Sequence, residues 1–301
     1  MPLEGDGKMN CNVTFQNVVD GFQAAGIVKG DTVLMHSALR PFGYVEGGGD
    51  TVARALCEVV SDEGTVVAPA FCFAHEMEKN PIIDPANDPS EMGAISEAVR
   101  LLSGALRSTA YRHSFSAIGK NAGCITQVDY TLPVFDMRSS FGRMLALDTK
   151  VILAGVTYIN STSHHFGEYL LQVPDRHVVA QHVRLKKTDG SLEQTVMLDY
   201  QPKPTETGEY YAYPHDFNKL GLWLEQEGKV RISVIGNAVI RVFHMRDLIN
   251  MILYRYPLDQ NIFGRDAQPV RLPFGQIVTR DVGALGTAVW SCVDSEKICK
   301  R

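Results

Sequence analysis

An almost uninterrupted apolar run, TKVILAGVTYI, spans residues 149–159. A strand that is apolar on both sides has to be covered by protein on both sides, as happens in the centre of a layered sheet. A second β-branched run, TVLMHS over 32–37, is followed by a turn-rich loop, a helix over 51–60 and another strand over 64–71. This order of strand, loop, helix and strand predicts a layered α/β fold.

The remaining patterns extend this alternation along the chain. Helical spacing predicts a helix over 14–25 and another over 93–104, and it predicts a third over 216–228 that Gly228 closes. The segment 238–255 reads as a strand that passes directly into a helix, whereas the proline-rich and acidic segment 74–92 reads as a long ordered surface loop.

The length and the loss of pattern near the end suggest the domain organisation. A chain of 301 residues can form one large α/β domain or two modest ones. After Pro257 the composition becomes loop-like. We therefore expect a single domain over 1–257 and a C-terminal extension over 258–301 that packs on it.

Charge and cysteine usage narrow the class of protein. The net charge is −5 and the lysines and arginines form no dense block, which argues against nucleic acid or an anionic membrane as the partner. The six cysteines form no Cys-x-x-Cys pair, so we expect reduced thiols and no zinc site. With no signal peptide and no apolar run long enough to span a bilayer, the expected location is cytoplasmic.

The stretch NSTSHHFGEYL, residues 160–170, follows the most apolar strand directly. Binding and catalytic groups of open α/β sheets collect beyond the carboxyl ends of strands. On a helix, His165 and Glu168 share a face, so the carboxylate can stabilise an imidazolium, while His164 points elsewhere. From the residues alone they could equally be polar side chains at a helix start, with Ser161 or Thr162 as the N-cap. The two adjacent histidines lack the spacing of four that a helical metal site uses, so we expect no metal.

Two further stretches offer polar groups next to predicted strands. HSALRPFGYVEGGGD, residues 36–50, ends in glycines that allow the backbone to approach a ligand. RSTAYRHSFSAIG, residues 107–119, combines hydroxyl groups, two arginines and an imidazole. By composition alone, each could also be an ordinary loop.

Together these stretches resemble one family, the antibiotic N-acetyltransferases, whose best-known members are aminoglycoside 3-N-acetyltransferases. Four segments correspond in order over about residues 30–250: HSALRPFGYVEGGG, IIDPANDPSEMGAISEAVR leading into RSTAYRHSFSAIG, SSFGRMLALDTKVILAGV, and TSHHFGEY. The resemblance implies a layered α/β/α fold with a central mixed sheet. It separates the chain from the larger acetyltransferase superfamily, whose Gln/Arg-x-x-Gly-x-Gly/Ala loop has no full match here.

The implied reaction is acetyl transfer from acetyl-CoA to an amine. His165 would be the base that removes a proton from the alkylammonium, since a group with a pKa of about 6.5 suits that task at neutral pH. Glu168 would orient its ring, and Thr162 or Ser163 would position the thioester or its oxygen. Direct attack by the amine is expected, although a covalent route through Cys72 or Cys124 stays open.

The resemblance also implies binding residues. Those assigned to CoA are Ser37, Ala38, Leu39, Arg40, Val45, Ser108, Ser114 and Phe115. Those assigned to a polycationic acceptor are Asp84, Tyr169, Glu209 and Asp216. The chain departs from the family pattern at Ala110-Tyr111, where the family usually has His-Pro, and at Ser140, where it has Pro, which puts the acceptor more in doubt than the reaction.

Three functions follow from these observations. The leading one is acetylation of the 3-amino group of a 2-deoxystreptamine aminoglycoside, and hence antibiotic resistance. The second keeps the reaction but changes the acceptor to another amine or a hydroxylamine metabolite. The third is a CoA-binding protein without turnover. The sequence does not define the oligomeric state.

Overall fold

A computed structural model describes residues 12–203 and 216–264 of the chain. The strands in these ranges are β1 Asn12–Val13, β2 Thr32–Ser37, β3 Tyr44–Val45, β4 Thr65–Pro69, β5 Ile82–Ile83, β6 Leu106–Arg107, β7 Phe115–Gly119, β8 Lys150–Ala154, β9 Arg176–Lys186, β10 Leu192–Pro202, β11 Arg231–Ile235 and β12 Ala238–His244. The helices are α1 Phe15–Ala24, α2 Gly48–Val60, α3 Ala94–Leu101, α4 Ala122–Thr126, α5 Ser140–Ala146, α6 Ser163–Leu171, α7 Asn218–Gln226 and α8 Met245–Arg255. Short 3-10 turns lie at Arg40–Phe42, Ala74–Met77 and Tyr158–Asn160.

The main sheet has the strand order β11-β12-β8-β2-β4-β7-β6. Strand β2 pairs in parallel with both β8 and β4, whereas β12 and β7 pair with them in antiparallel fashion. The two apolar runs seen in the sequence are therefore neighbouring central strands. The expected central mixed sheet is confirmed.

Both faces of this sheet are covered. Leu34 and Val67 belong to one core, together with α5, α6, α7 and α8. Val33 and Met35 belong to the other core, which includes apolar residues of α1, α2 and α3. Since successive side chains of a strand point to opposite faces, helices pack on each side of β2. The layered α/β/α arrangement is confirmed.

Strand β8 is shorter than the strand that the apolar run 149–159 predicts. It ends at Ala154 because Gly155 has a φ of +70°, and a Cβ atom there would lie 2.9 Å from the carbonyl oxygen of Ala38. The chain turns at this glycine towards the loop that follows β2. The apolar residues beyond it belong to the turn before α6.

The expected helix over 51–60 begins earlier, at Gly48, after Gly47 with a φ of +75°. A Cβ atom on Gly49 would lie 2.6 Å from the carbonyl oxygen of Ala94. This glycine allows α2 to approach the start of α3. The lack of a side chain at Gly49 therefore allows α2 and α3 to pack in contact.

A second sheet, of order β10-β9-β5, has no counterpart in the sequence-based prediction. Strands β9 and β10 form a hairpin with eleven pairs, from Leu192 opposite Lys186 to Pro202 opposite Arg176. The segment 74–92 is not only a loop, because its β5 strand pairs in parallel with β9. Polar and charged residues interrupt the apolar positions of β9 and β10, so neither strand shows the regular alternation that marks a half-exposed strand.

The cysteines differ in state. Cys57 and Cys72 are free thiols, as expected. Cys124 is disulfide-bonded, so the expectation of a reduced thiol is wrong at that position.

The boundary expected at Pro257 stays a prediction. Of the proposed extension, Ile262 and Phe263 pack into the first core, and Phe263 accepts a backbone hydrogen bond from Asp216. Within 12–203 and 216–264, no helix is long and apolar enough to cross a membrane.

Candidate active site

Helix α6 begins at the carboxyl edge of the central strands. Ser37 lies opposite Ala154 at the ends of β2 and β8, and the turn Tyr158–Asn160 carries the chain from that edge into α6. Thr162 occupies the N-cap position, but its side chain makes no capping hydrogen bond. The sequence prediction that this stretch forms a helix after the central strand is confirmed.

One turn of α6 brings an imidazole and a carboxylate together. The Nδ1 atom of His165 lies 2.6 Å from Oε2 of Glu168, as their spacing of three predicts. Glu168 is 1% exposed, and the same oxygen lies 2.9 Å from Nε of Arg176, the first residue of β9. The arginine thus supplies a basic partner to a carboxylate that is buried beside the imidazole.

The surroundings hold His165 in its neutral form. Burial is the largest cause that lowers the pKa of His165 well below 6.5, and the positive charges of Arg176 and Arg112 lower it further. Asp199 acts in the opposite direction. At neutral pH the ring can therefore accept a proton, as a general base must.

A second imidazole–carboxylate pair lies nearby. Nδ1 of His113 lies 3.4 Å from Oδ1 of Asp199, a fully buried residue of β10. The other carboxylate oxygen of Asp199 lies 3.5 Å from Nε of Arg112 and accepts a hydrogen bond from Gln201. Interactions with His113 and Arg112 hold the pKa of Asp199 below its ordinary value despite its burial.

Aromatic rings separate and surround the two pairs. The ring of Phe135 lies 5.2 Å from that of His113 and 6.3 Å from that of His165. Phe217 contacts His165 at 5.0 Å and stacks on His164 at 4.5 Å. His164 thus points away from Glu168, as expected, and its Nδ1–H donates to the carbonyl of Ser161.

Polar atoms without protein partners collect where β2 ends and α6 begins. The hydroxyl oxygens of Ser37, Thr162 and Ser163 have no hydrogen-bond partner among the described residues. His36 and His164 are buried here, and burial lowers their pKa values to about 4 and about 3. Both rings are neutral, and the three hydroxyl oxygens are buried without a partner among the described residues.

The residues that the resemblance assigned to CoA fall into two groups. The first group, Ser37, Ala38, Leu39, Arg40 and Val45, follows β2 at the edge just described, with Arg40 exposed and Val45 buried in β3. The second group lies at the turn between β6 and β7. There Ser108 Oγ accepts from the backbone N–H of Phe115, and Ser114 Oγ donates to the carbonyl of Ala70. These two hydroxyl groups hold the turn in place.

The residues assigned to the acceptor are dispersed. Tyr169 contacts the rings of Phe135 and Tyr200 beside His165. Asp216 precedes Phe217 and accepts a hydrogen bond from the backbone N–H of Asn218. Asp84 pairs with Lys186 at 2.8 Å in the smaller sheet. Glu209 lies outside the described residues.

Sequence reasoning missed Arg176 and Asp199 and gave His113 no role. Arg176 follows α6 by only a few residues, but nothing local indicates that it returns to Glu168. Asp199 carried a usable signal, since it replaces an apolar residue on the buried side of a strand between Met197 and Gln201. An acid in such a position needs a charged partner.

The sequence profile of the family described as aminoglycoside 3-N-acetyltransferase matches residues 34–255, more than half of the chain. The chain is 26% identical to the SPbeta prophage-derived aminoglycoside N(3')-acetyltransferase-like protein YokD of Bacillus subtilis, over 79% of this chain and 90% of that protein. It is 25% identical to aminoglycoside N(3)-acetyltransferase III of Pseudomonas aeruginosa, over 80% of this chain and 92% of that protein.

Solved structures agree in fold. The crystal structure of aminoglycoside acetyltransferase AAC(3)-Xa superposes with a TM-score of 0.71 at 24% identity, over 85% of this chain and 95% of that chain. A structure titled AAC-IIIb binary with CoASH has a TM-score of 0.72 at 20% identity, over 86% of this chain and all of that chain. The family resemblance and the fold inferred from it are confirmed. This chain therefore belongs to the aminoglycoside 3-N-acetyltransferase family and is an acyltransferase.

Proposed function

We propose that the chain uses acetyl-CoA to acetylate an amine of an aminoglycoside antibiotic, the 3-amino group of its 2-deoxystreptamine ring, and so confers resistance from the cytoplasm. The observation that carries the proposal is the contact of the partly buried His165 with the buried Glu168, beside Arg176. Relatives named aminoglycoside N(3)-acetyltransferases support the choice of acceptor.

In the proposed reaction, Nε2 of His165 takes the proton of the acceptor ammonium, while Nδ1–H donates to Glu168. Acetyl-CoA supplies an activated acyl carbon. The nitrogen–carbon bond forms, the carbon–sulfur bond breaks, and the proton held on the imidazole passes to the departing sulfur. The acylated nitrogen loses a second proton, which is released to solvent, so that a neutral amide and a free thiol result.

The edge between β2 and α6 is the proposed place of the thioester. The unpartnered hydroxyl groups of Ser37, Thr162 and Ser163 fit that role, because they can donate to an oxygen on which negative charge develops. The loop after β2 would hold more of CoA. This assignment gives the buried hydroxyl groups the partners that they lack within the described protein.

Direct attack is preferred to an acyl-cysteine route. Burial is the main cause that raises the pKa of the Cys72 thiol, which lowers its thiolate fraction. Cys124 is disulfide-bonded and has no thiol to acylate. Neither residue is therefore a suitable acyl carrier.

One observation favours the second acceptor class, a different amine or a hydroxylamine. Three described carboxylates near His165 already have basic partners: Glu168 has Arg176, Asp199 has Arg112, and Asp136 has Arg138. A polycation needs carboxylates that are available to it. An acceptor with fewer ammonium groups, such as a simple amine or a hydroxylamine, would need fewer available carboxylates.

The test measures thiol release from acetyl-CoA with a panel of aminoglycosides and simple amines. It compares the wild type with His165→Ala and with His182→Ala, a control at an exposed histidine of β9. Turnover of 2-deoxystreptamine drugs that only His165→Ala abolishes, while CoA still binds, supports the proposal. Folded wild type that binds CoA but acetylates only other amines supports the second acceptor class, and binding without turnover of any amine indicates a CoA-binding protein.

A further inference from the structure

One face of α7 contacts both ends of the segment that leads to the proposed base. Phe217, Gly221 and Glu225 recur every four residues, so they lie on the same side of the helix. At the N-cap of α7, the ring of Phe217 contacts that of His165 at 5.0 Å. Further along the same face, Gly221 and Glu225 meet Tyr158, in the turn before α6. Helix α7 therefore bridges this turn and the beginning of α6.

The Tyr158 ring fits closely against α7. Tyr158 is 3% exposed, and a Cβ atom on Gly221 would lie 2.0 Å from its ring carbons. The ring of Phe243, on β12, lies 5.8 Å from that of Tyr158. Any side chain at position 221 would push α7 away from the turn. The tyrosine ring thus sets the distance between the turn and the helix.

A hydrogen-bonded cluster secures this contact. The Tyr158 hydroxyl donates to Oε1 of Glu225 at 2.8 Å, and Nε of Arg241, on β12, donates to the same oxygen at 2.9 Å. The guanidinium of Arg241 lies 5.8 Å from the centre of the Tyr158 ring. Burial is the largest cause that raises the pKa of Tyr158, and Glu225 raises it further, so the phenol stays protonated and can donate. The cluster ties α7 to the turn and to the main sheet.

Phe217 is the part of α7 that contacts the base. It is 2% exposed, and its ring is nearly parallel to that of His164 and inclined at 78° to that of His165. A ring packed in this way limits rotation of the imidazole and keeps water from one side of it. Because burial is also the main cause of the low pKa of His165, the contact bears on both the orientation and the protonation of the base.

We propose that Tyr158 and Glu225 are positioning residues for the reaction: their hydrogen bond holds α7 in place, and α7 in turn holds Phe217 against His165. The inference rests on the proposed function, because it concerns how the proposed base is held. The two residues act through Phe217 and not on the reacting atoms. Their hydrogen bond therefore contributes to kcat and leaves the binding of acetyl-CoA unaffected.

The first test removes the acceptor of this hydrogen bond. Glu225→Ala leaves the Tyr158 hydroxyl without its partner, whereas Glu225→Gln keeps an oxygen in place and removes only the charge. Glu225→Ala should lower kcat by about five- to fiftyfold and keep the KM of acetyl-CoA within about twofold, because a small displacement of the base slows the chemical step. Glu225→Gln should keep kcat within about twofold of the wild type. Equal kcat values in the two variants overturn the proposal.

The pH profile adds a readout that a loss of stability alone would not move. In Glu225→Ala, kcat/KM should begin to fall at a higher pH than in the wild type, because water that reaches His165 reverses part of the effect of burial on its pKa. Loss of a negative charge would act in the opposite direction. An unchanged profile contradicts the proposal. The charged and titratable neighbours of the base named above stay unchanged in this variant: His164, Glu168, Arg176, Arg112, His113 and Asp199.

A second variant and an exposed control separate the hydrogen bond from general disturbance of α7. Tyr158→Phe keeps the ring that packs on Gly221 and removes only the donor, so it should reproduce the kinetics of Glu225→Ala. Leu222→Ala, at an exposed position of the same helix, should match the wild type. A lower melting temperature in Tyr158→Phe together with wild-type kcat would make the contact purely structural and contradict the proposal.

Failure of the proposed function would be recognised separately. Carbethoxylation of histidines by diethyl pyrocarbonate at neutral pH, located by tandem mass spectrometry, requires no acceptor and no turnover. His164 is fully buried and stacked on Phe217, so it should react faster in Glu225→Ala than in Glu225→Gln or the wild type. If the wild type acetylates no amine, the proposed function fails and this measurement decides alone. Faster reaction only in Glu225→Ala retains the positioning role, and equal rates in the three proteins overturn it.

Discussion

The Nδ1 atom of His165 lies 2.6 Å from Oε2 of Glu168, and the carboxylate in this contact is 1% exposed. The buried carboxylate fixes which ring nitrogen carries the proton, and so leaves Nε2 as the atom that accepts one. We expect Glu168→Gln to lower kcat by about 10²–10⁴ with little change in the KM of acetyl-CoA, because an amide neither fixes the tautomer nor stabilises the imidazolium.

Thiol release measures this effect. Glu97→Gln, which alters a Glu–Arg pair on α3, is the matched control and should keep its activity. If the folded Glu168→Gln enzyme retains the wild-type kcat, Glu168 has no part in the mechanism.

The pH dependence of activity should report the lowered pKa of His165, for which burial is the largest cause and the arginines the next. The acid limb of kcat/KM is expected below pH 6.5, since the free enzyme loses activity only when the imidazole becomes protonated. Arg112→Gln removes a positive charge that lowers this pKa, so its limb should move to higher pH. Arg54→Gln, on the exposed face of α2, should not move it. If kcat/KM falls at the same acidic pH in Arg112→Gln as in the wild type, Arg112 does not act on the pKa of the base.

Stability should fall in mild acid because buried neutral histidines resist protonation. The pKa of His36 is lowered to about 4 and that of His164 to about 3, in both cases mainly by burial. Between these values and about 6.5 the unfolded chain binds more protons than the folded chain. The stability is therefore fully present above pH 6.5 and is lost as the pH falls, by about 1.4 kcal/mol per pH unit for each histidine.

Urea unfolding at several pH values between 7 and 4.5 measures how steeply the free energy of unfolding depends on pH. His164→Asn keeps a side-chain N–H that can donate to the Ser161 carbonyl but cannot titrate, so its slope should be shallower. An identical slope in the wild type and His164→Asn would exclude this histidine as a source of acid sensitivity.

Gly167 sets the distance between α6 and α8. A Cβ atom there would lie 2.6 Å from Cδ1 and 3.0 Å from Cγ2 of Ile252. Gly167→Ala should therefore destabilise the protein by about 1–3 kcal/mol and lower kcat, because α6 has to shift together with His165. The double variant Gly167→Ala/Ile252→Val removes the Cδ1 atom and should recover part of both losses. Denaturant unfolding and thiol release measure the two effects, and full activity in Gly167→Ala would show that the site tolerates the shift.

The sequence by itself determined the central strands, most helices and the contact between His165 and Glu168. These features depend on local periodicity: the apolar runs predict β2 and β8, and a spacing of three on a helix places imidazole and carboxylate on one face. The family resemblance added the reaction, which local patterns could not supply.

Tertiary structure alone decided what surrounds the base. Arg176 reaches Glu168 from the start of β9, and Asp199 reaches His113 from β10, across 86 positions of sequence. The hairpin that presents both was not predicted. Such contacts are fixed by strand pairing and the packing of layers, and their free energy comes from burial and charge compensation between residues that carry no local signal of each other.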